Sequence, residues 1–180
     1  GMAKVEAEAA AIFPGAKAYV QHDQRGTADA VLAARAAIEM HAGDVIVLYA
    51  DTPLIRPETI ARIRAKLDEG VNVAVLGFRA KDPTGYGRLL TAGNGELAAI
   101  REEKDASADE RNVDLCNSGV MAFRVPNLAS LLARIGNANA KSEYYLTDAV
   151  EIARTDGLRA AVVECAEDEV LGVNARDQLA

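Results

Sequence analysis

The run Val45-Ile46-Val47-Leu48-Tyr49 leads into Ala50-Asp51-Thr52-Pro53-Leu54, so an apolar stretch stops at a carboxylate two residues before a proline. A run of this length, bounded by Gly43 and Pro53, predicts a strand buried on both faces. Asp51 then stands at the carboxyl end of the strand, where open α/β sheets take their ligands. A carboxylate there can hold a divalent metal against phosphate oxygens. It can equally close a side-chain-to-backbone turn ahead of the proline.

Other segments have the composition of ligand loops. In Gln21-His22-Asp23-Gln24-Arg25-Gly26-Thr27, the glycine allows close approach to the backbone at a helix start, and the Gln amide offers both a donor and an acceptor. The competing reading is a turn at Gly26 and a helix cap at Thr27. Asp82-Pro83-Thr84-Gly85-Tyr86-Gly87-Arg88 suits either a loop laid over a sugar or a turn before a hairpin. Asn117-Ser118-Gly119 breaks an apolar strand, which predicts a bulge or a close ligand approach. Glu102-Glu103-Lys104-Asp105 reads as a solvated charged face, Thr147 within Glu143–Asp148 as a helix cap, and Asn174 after Gly172-Val173 as another. His22 and His41 are isolated, and no nucleophile triad includes them.

The elements that must position these residues alternate. Strands are expected at 16–21, 45–50, 71–79, 115–124, 160–165 and 170–173. Helices are expected at 3–13, 27–41, 57–69, 126–135 and 147–155, with another starting at Ala175. Pro57 suits a first helical turn, and Ile60, Ile63 and Leu67 form a stripe ending at Gly70. Gly93-Asn94-Gly95 between 88–91 and 96–103 is a hairpin signal, and 104–112 reads as a loop or short helix. This order predicts an α/β fold of three layers, α/β/α and Rossmann-like, with a mostly parallel mixed sheet and a β-hairpin excursion.

The 180 residues fit a single domain, and 50% hydrophobic content excludes disorder. A net charge of −7 argues against a general nucleic-acid or membrane-surface binder, and 4% aromatic content without Trp argues against base-stacking platforms. No run of 18 apolar residues and no signal pattern occur, and Cys116 and Cys165 read as reduced core thiols, so a cytoplasmic protein is expected.

Taken in order, Gln-x-x-x-x-Gly-Thr from Gln21, Tyr-x-Asp-x-Pro-Leu-Ile from Tyr49, Asp-Pro-Thr-Gly-Tyr-Gly-Arg from Asp82, Glu-x-Lys-Asp from Glu102, Asn-x-Gly from Asn117, Glu-Tyr-Tyr-x-Thr-Asp from Glu143 and Gly-Val-Asn from Gly172 span almost the whole chain. Together they resemble the uridyltransferase (pyrophosphorylase) domain of the bacterial bifunctional N-acetylglucosamine-1-phosphate uridyltransferases. The resemblance implies the fold of nucleotide-diphospho-sugar transferases. It also implies formation of UDP-N-acetylglucosamine and pyrophosphate from UTP and N-acetylglucosamine 1-phosphate, with Mg²⁺ as cofactor. By the same resemblance Gln21 reads uracil, while Gly26 and Thr27 approach base and ribose. Tyr49 and Ala50 line the pocket floor, Asp51 and Asn174 hold Mg²⁺ in catalytic roles, and Gly87, Glu102 and Asn117 bind the sugar. The sugar phosphate is already ionised near neutral pH, so no general base is required.

The chain departs from the family's pattern at Ala50, where glycine is usual, and it has no glycine-rich phosphate loop before Gln21. The expectation is therefore an N-terminally truncated, single partial domain over 1–180, weakly active or inactive, without hexapeptide acetyltransferase repeats. The alternatives are another sugar-1-phosphate nucleotidyltransferase and a non-catalytic sugar-nucleotide-binding module. Partners are expected to be the small-molecule substrates, with a homo-oligomer left open.

Overall fold

The computed structural model describes residues 2–172. Asn174 and the helix start expected at Ala175 lie outside the described residues. The elements are α1 (Met2–Ile12), α2 (Thr27–Leu32), α3 (Arg35–Met40), β1 (Val45–Val47), α4 (Pro57–Asp68), β2 (Val73–Arg79), β3 (Arg88–Thr91), β4 (Leu97–Arg101), α5 (Ala108–Arg111), β5 (Leu115–Phe123), α6 (Leu128–Leu132), α7 (Ala149–Thr155) and β6 (Ala160–Cys165). Two 3₁₀ turns, Leu146–Asp148 and Glu167–Val170, complete the order.

The sheet runs β4-β3-β5-β2-β6, with β1 also paired to β5. By their pairings β1, β2, β3 and β6 point one way, and β4 and β5 point the other. The sheet is mixed as expected, yet only β2 and β6 are bonded in parallel, because β5 is inserted antiparallel among strands of the other direction.

Strand alternation divides the core between the two faces. Val73, Val75, Met121 and Phe123 pack with Leu128, Leu131 and Leu132 of α6 and with Ala149, Val150 and Ala153 of α7. Ala74, Leu76, Phe78, Val120 and Ala122 face Ile63 and Leu67 of α4. Helices therefore cover both faces, and the three layers follow. The stripe on α4 sits as its spacing predicts: Pro57 stands in the first turn, and Ile63 and Leu67 are fully buried. Each such side chain contributes on the order of 1.5–3 kcal/mol. The hairpin also forms as expected, closed by Ala92 and Glu96 backbone groups at 2.8 Å.

Four expectations fail. Residues 16–21 form no strand; no neighbour pairs with them among the described residues, and Tyr19 and Val20 are exposed. The helix expected over 27–41 breaks at Ala33-Ala34 into α2 and α3, and both halves pack on α6. The strand at 45–50 is short and only half-buried, with Leu48 53% exposed, because β1 is paired to β5 alone among the described residues. Val170 ends a 3₁₀ turn instead of starting a strand. The buried Glu169 carboxylate accepts the Thr59 hydroxyl at 2.6 Å and the Arg56 N–H at 3.4 Å, which draws this segment onto the start of α4.

Candidate active site

The sheet forks at β5. One edge of β5 pairs with β2 along its length, while the other is shared by β3, at Cys116, and β1, at Met121 to Phe123. Asn117-Ser118-Gly119 falls in the gap. The β2 register confirms the bulge read there: Val75 opposes Met121, but Gly77 opposes Asn117. The carboxyl end of β1 and the amino end of β3 thus face each other across this bulge, and the site is built around it.

The bulge is held locally. Asn117 Oδ1 accepts the Gly119 N–H at 3.0 Å, and Ser118 Oγ donates to the Leu76 carbonyl at 2.8 Å. Gly119 has φ +89°, a conformation that favours glycine. A Cβ there would fall against the edge of the Tyr49 ring, 2.5 Å from Cδ2. The close approach that Gly119 permits is therefore made by Tyr49. Burial pushes the Tyr49 phenol above its ordinary range, and nearby Glu102 and Asp51 act in the same sense, against the neighbouring Thr27 hydroxyl.

On the β3 side, the Asn117 N–H donates to the Gly87 carbonyl at 2.8 Å. Gly87 is buried, and a Cβ there would lie 3.3 Å from Glu102 Oε1. Glu102 accepts the Thr147 hydroxyl at 3.1 Å. Burial raises the Glu102 carboxyl, partly offset by the Thr147 hydrogen bond and by Lys141. Asp148 is pushed up to about 6, chiefly by burial and then by Glu151. The buried Tyr145 hydroxyl has no hydrogen-bond partner among the described residues.

Gln21, Gly26 and Thr27 form a second group. Gln21 Nε2 donates to the Gly26 carbonyl at 3.0 Å and to Asp29 Oδ2 at 2.9 Å, so of its amide only the carbonyl oxygen is uncommitted among the described residues. Gly26 presses on the Tyr144 backbone, which a Cβ would meet at 2.5 Å. The Tyr144 N–H donates to the Arg25 carbonyl at 2.8 Å, and the Ala28 N–H to that of Tyr144 at 3.0 Å. Thr27 is not the cap: Gly26 holds that position, and Thr27 Oγ1 accepts the Leu146 N–H at 2.9 Å. This group is thereby tied to the segment that carries Thr147.

Asp51 is exposed in the turn after β1, with no hydrogen-bond partner among the described residues. The turn role weighed for it belongs to Thr52, whose hydroxyl donates to the Tyr49 carbonyl at 3.1 Å. Ala50, expected on the pocket floor, is exposed. No group of three or more His, Cys, Asp or Glu arranged for a metal occurs among the described residues. A lone uncommitted carboxylate fits a hard divalent cation of the kind held by one or two carboxylates together with waters and substrate phosphates.

The structure thus gathers Tyr49, Gly87, Glu102 and Asn117 around one bulge, and sets Gln21, Gly26 and Thr27 beside them. The residues missed by sequence reasoning are Gly119 as the seat of Tyr49 and Thr147 as the donor to Glu102. A glycine following Asn117 in a strand was a signal for the first; Thr147 carried only the signature of a cap.

Residues 4–114 match the model of the MobA-like NTP transferase domain, and the chain belongs to that family. Among curated proteins it is similar to the "Bifunctional protein GlmU" of Azorhizobium caulinodans, 65% identical over 176 residues, covering 98% of this chain and 39% of the relative. The protein of the same name from Xanthobacter autotrophicus is 61% identical over 180 residues, covering all of this chain and 40% of the relative. The chain therefore spans about 40% of the length of the curated relatives it matches. Among solved structures, a CMP:2-keto-3-deoxy-manno-octonic acid synthetase complexed with CTP superposes with TM-score 0.66 at 16% identity, over 98% of this chain and 73% of that one. A nucleoside-diphosphate-sugar pyrophosphorylase from Vibrio cholerae does so with TM-score 0.66 at 18% identity, over 98% and 74%. At these identities the likeness establishes the fold alone. No helix among the described residues is long and apolar enough to cross a membrane.

Proposed function

We propose that the chain is a uridylyl-transfer domain that joins UTP and N-acetylglucosamine 1-phosphate to give UDP-N-acetylglucosamine and pyrophosphate. The observation that carries this reading is the meeting of Gly87, Glu102, Asn117 and Thr147, from four separate segments, beside Tyr49 at the sheet fork. High identity to the bifunctional relatives supports the same reading.

In this reading the Glu102 carboxylate, steadied by Thr147, accepts hydrogen bonds from sugar hydroxyls. The Asn117 side-chain nitrogen, which has no partner among the described residues, donates to the same sugar. Gly87, where a Cβ would crowd the carboxylate at 3.3 Å, lets Glu102 stand close against the strand end. The Tyr49 ring, seated on Gly119, borders this group, and the Gln21 carbonyl oxygen is available to a base N–H. A sugar-phosphate oxygen forms a bond to the α-phosphorus of UTP while the bond to the bridging oxygen of the leaving pyrophosphate breaks. Because the nucleophile is already ionised, catalysis rests on orientation and on charge neutralisation. Asp51, with Asn174, would hold Mg²⁺, which supplies that neutralisation.

The test is calorimetric titration of the chain with UDP-N-acetylglucosamine in MgCl₂, beside pyrophosphate release with each of the four nucleoside triphosphates. Saturable binding that Glu102→Ala abolishes is expected, with UTP preferred. No binding at millimolar ligand, or equal binding by the variant, would overturn the reading. Binding without turnover would leave a sugar-nucleotide-binding module.

A further inference from the structure

Resting on that reading of Gly87 and Glu102, we propose that Arg88 and Glu103 form a clasp that positions the sugar-binding edge of the site. The β3–β4 ladder ends at the pair Arg88 and Arg101. Gly87 and Glu102 stand opposite each other one rung further, beyond the last β3–β4 pair, with Gly87 tied on its other side to the Asn117 N–H. Strand ends fray unless something replaces the missing bonds.

Here the replacement is a closed ring of contacts made by the next residue on each side. The Arg88 side chain is 3% exposed. Its Nη1 donates to the Tyr86 carbonyl and lies 3.8 Å from Glu103 Oε2, and Nε and Nη2 each reach the Arg111 carbonyl at 3.4 Å. Glu103 Oε2 accepts the Gly85 N–H, and the Glu103 carbonyl accepts Arg111 Nε at 3.3 Å. The loop between is stiffened as well: Asp82 Oδ1 accepts the Thr84 N–H at 3.0 Å, and Tyr86 sets its ring edge-on to Phe78 with centroids 4.9 Å apart. Glu103 therefore fixes the loop that leads to Gly87, and Arg88 ties that loop to the segment following Glu102.

A buried guanidinium is a poor device for stability alone, since apolar replacements of similar volume are often neutral or better. What this one adds is a defined geometry for two backbone segments. Neither Arg88 nor Glu103 needs to touch the sugar; they are positioning residues.

The experiment titrates wild type, Glu103→Ala, Glu103→Gln and Arg88→Met with UDP-N-acetylglucosamine and, separately, with UTP. Melting curves and amide hydrogen exchange at Gly85 and Gly87 accompany each titration. Glu103→Ala is expected to weaken UDP-N-acetylglucosamine binding by roughly tenfold, the scale of one charged hydrogen bond, while UTP affinity stays within about twofold. Glu103→Gln keeps an oxygen for the Gly85 N–H and is expected to recover most of the loss. Exchange at Gly85 and Gly87 should quicken in Glu103→Ala and in Arg88→Met. Folded variants with unchanged sugar-nucleotide affinity, or with equal losses for UTP, would overturn the positioning role. Wild type that fails to bind UDP-N-acetylglucosamine overturns the site reading itself. Exchange then judges the clasp alone, and unchanged protection in Glu103→Ala would overturn it too.

Discussion

Substituting Gly119 by alanine tests the contact on which the site is built. Alanine at φ +89° carries a backbone cost of about 1–2 kcal/mol. Its Cβ would also stand 2.5 Å from Tyr49 Cδ2, inside van der Waals contact, so the ring must leave its seat. A tyrosine buries about 150–200 Å² when enclosed. Giving up half of that at about 25 cal/mol per Å² adds roughly 2 kcal/mol. The sum, about 3–4 kcal/mol, is a large share of the 5–15 kcal/mol typical of a whole domain. Urea denaturation at a common m-value measures it. The double variant Tyr49→Ala/Gly119→Ala separates the two costs: with the ring gone only the backbone part remains, giving a coupling of about 2 kcal/mol between the positions. Gly119→Ala within about 0.5 kcal/mol of wild type, or strictly additive effects, would refute the reasoning.

Other outcomes follow from single side chains. Asp148 is raised to about 6 in the folded protein, above its unfolded value, so the native state binds the extra proton and wild-type stability falls as pH rises from about 4 to about 6. Asp148→Asn should remove that slope, with its advantage absent below pH 4 and full at pH 7, as read by melting temperature against pH. Asp51→Asn should leave the urea midpoint unchanged, because Asp51 is exposed and unbonded among the described residues, yet abolish any Mg²⁺-dependent gain in UTP affinity on titration. Leu67→Ala, at a fully buried position on α4, should cost about 2–5 kcal/mol by the same denaturation assay and leave ligand affinity unchanged in the folded fraction.

What the sequence made legible was local. Pro57 and the Ile63/Leu67 stripe, Gly93-Asn94-Gly95, and the runs that became β2, β3, β5 and β6 each carry their own signal within a few residues. The failures are those that depend on neighbours. Tyr19 and Val20 have strand chemistry but no strand beside them among the described residues, and no pattern predicts a bend between two alanines that lets α2 and α3 share α6. The site divides the same way. Asn117-Ser118-Gly119 announced a bulge, but only the pairing of β5 with both β1 and β3 reveals that Tyr49 and Gly87 converge on it. Thr147 looked like a cap because Glu102, the carboxylate that accepts its hydroxyl, is brought to it by tertiary structure.

The place of β5 in the sheet bears on how the protein comes into being on the ribosome. β1 and β2 find their antiparallel partner only at Leu115–Phe123, and Val47 waits for Met121. At about 5–20 residues per second, the apolar strand 45–47 and its neighbour Leu48 spend roughly 4–15 s without their native mate. Until that strand emerges, β1 and β2 have no hydrogen-bonded partner among the described residues. Nascent chains paused between residues 80 and 115 should therefore be the ones that holdase chaperones retain, and release should coincide with synthesis of the strand that closes both sides of the fork.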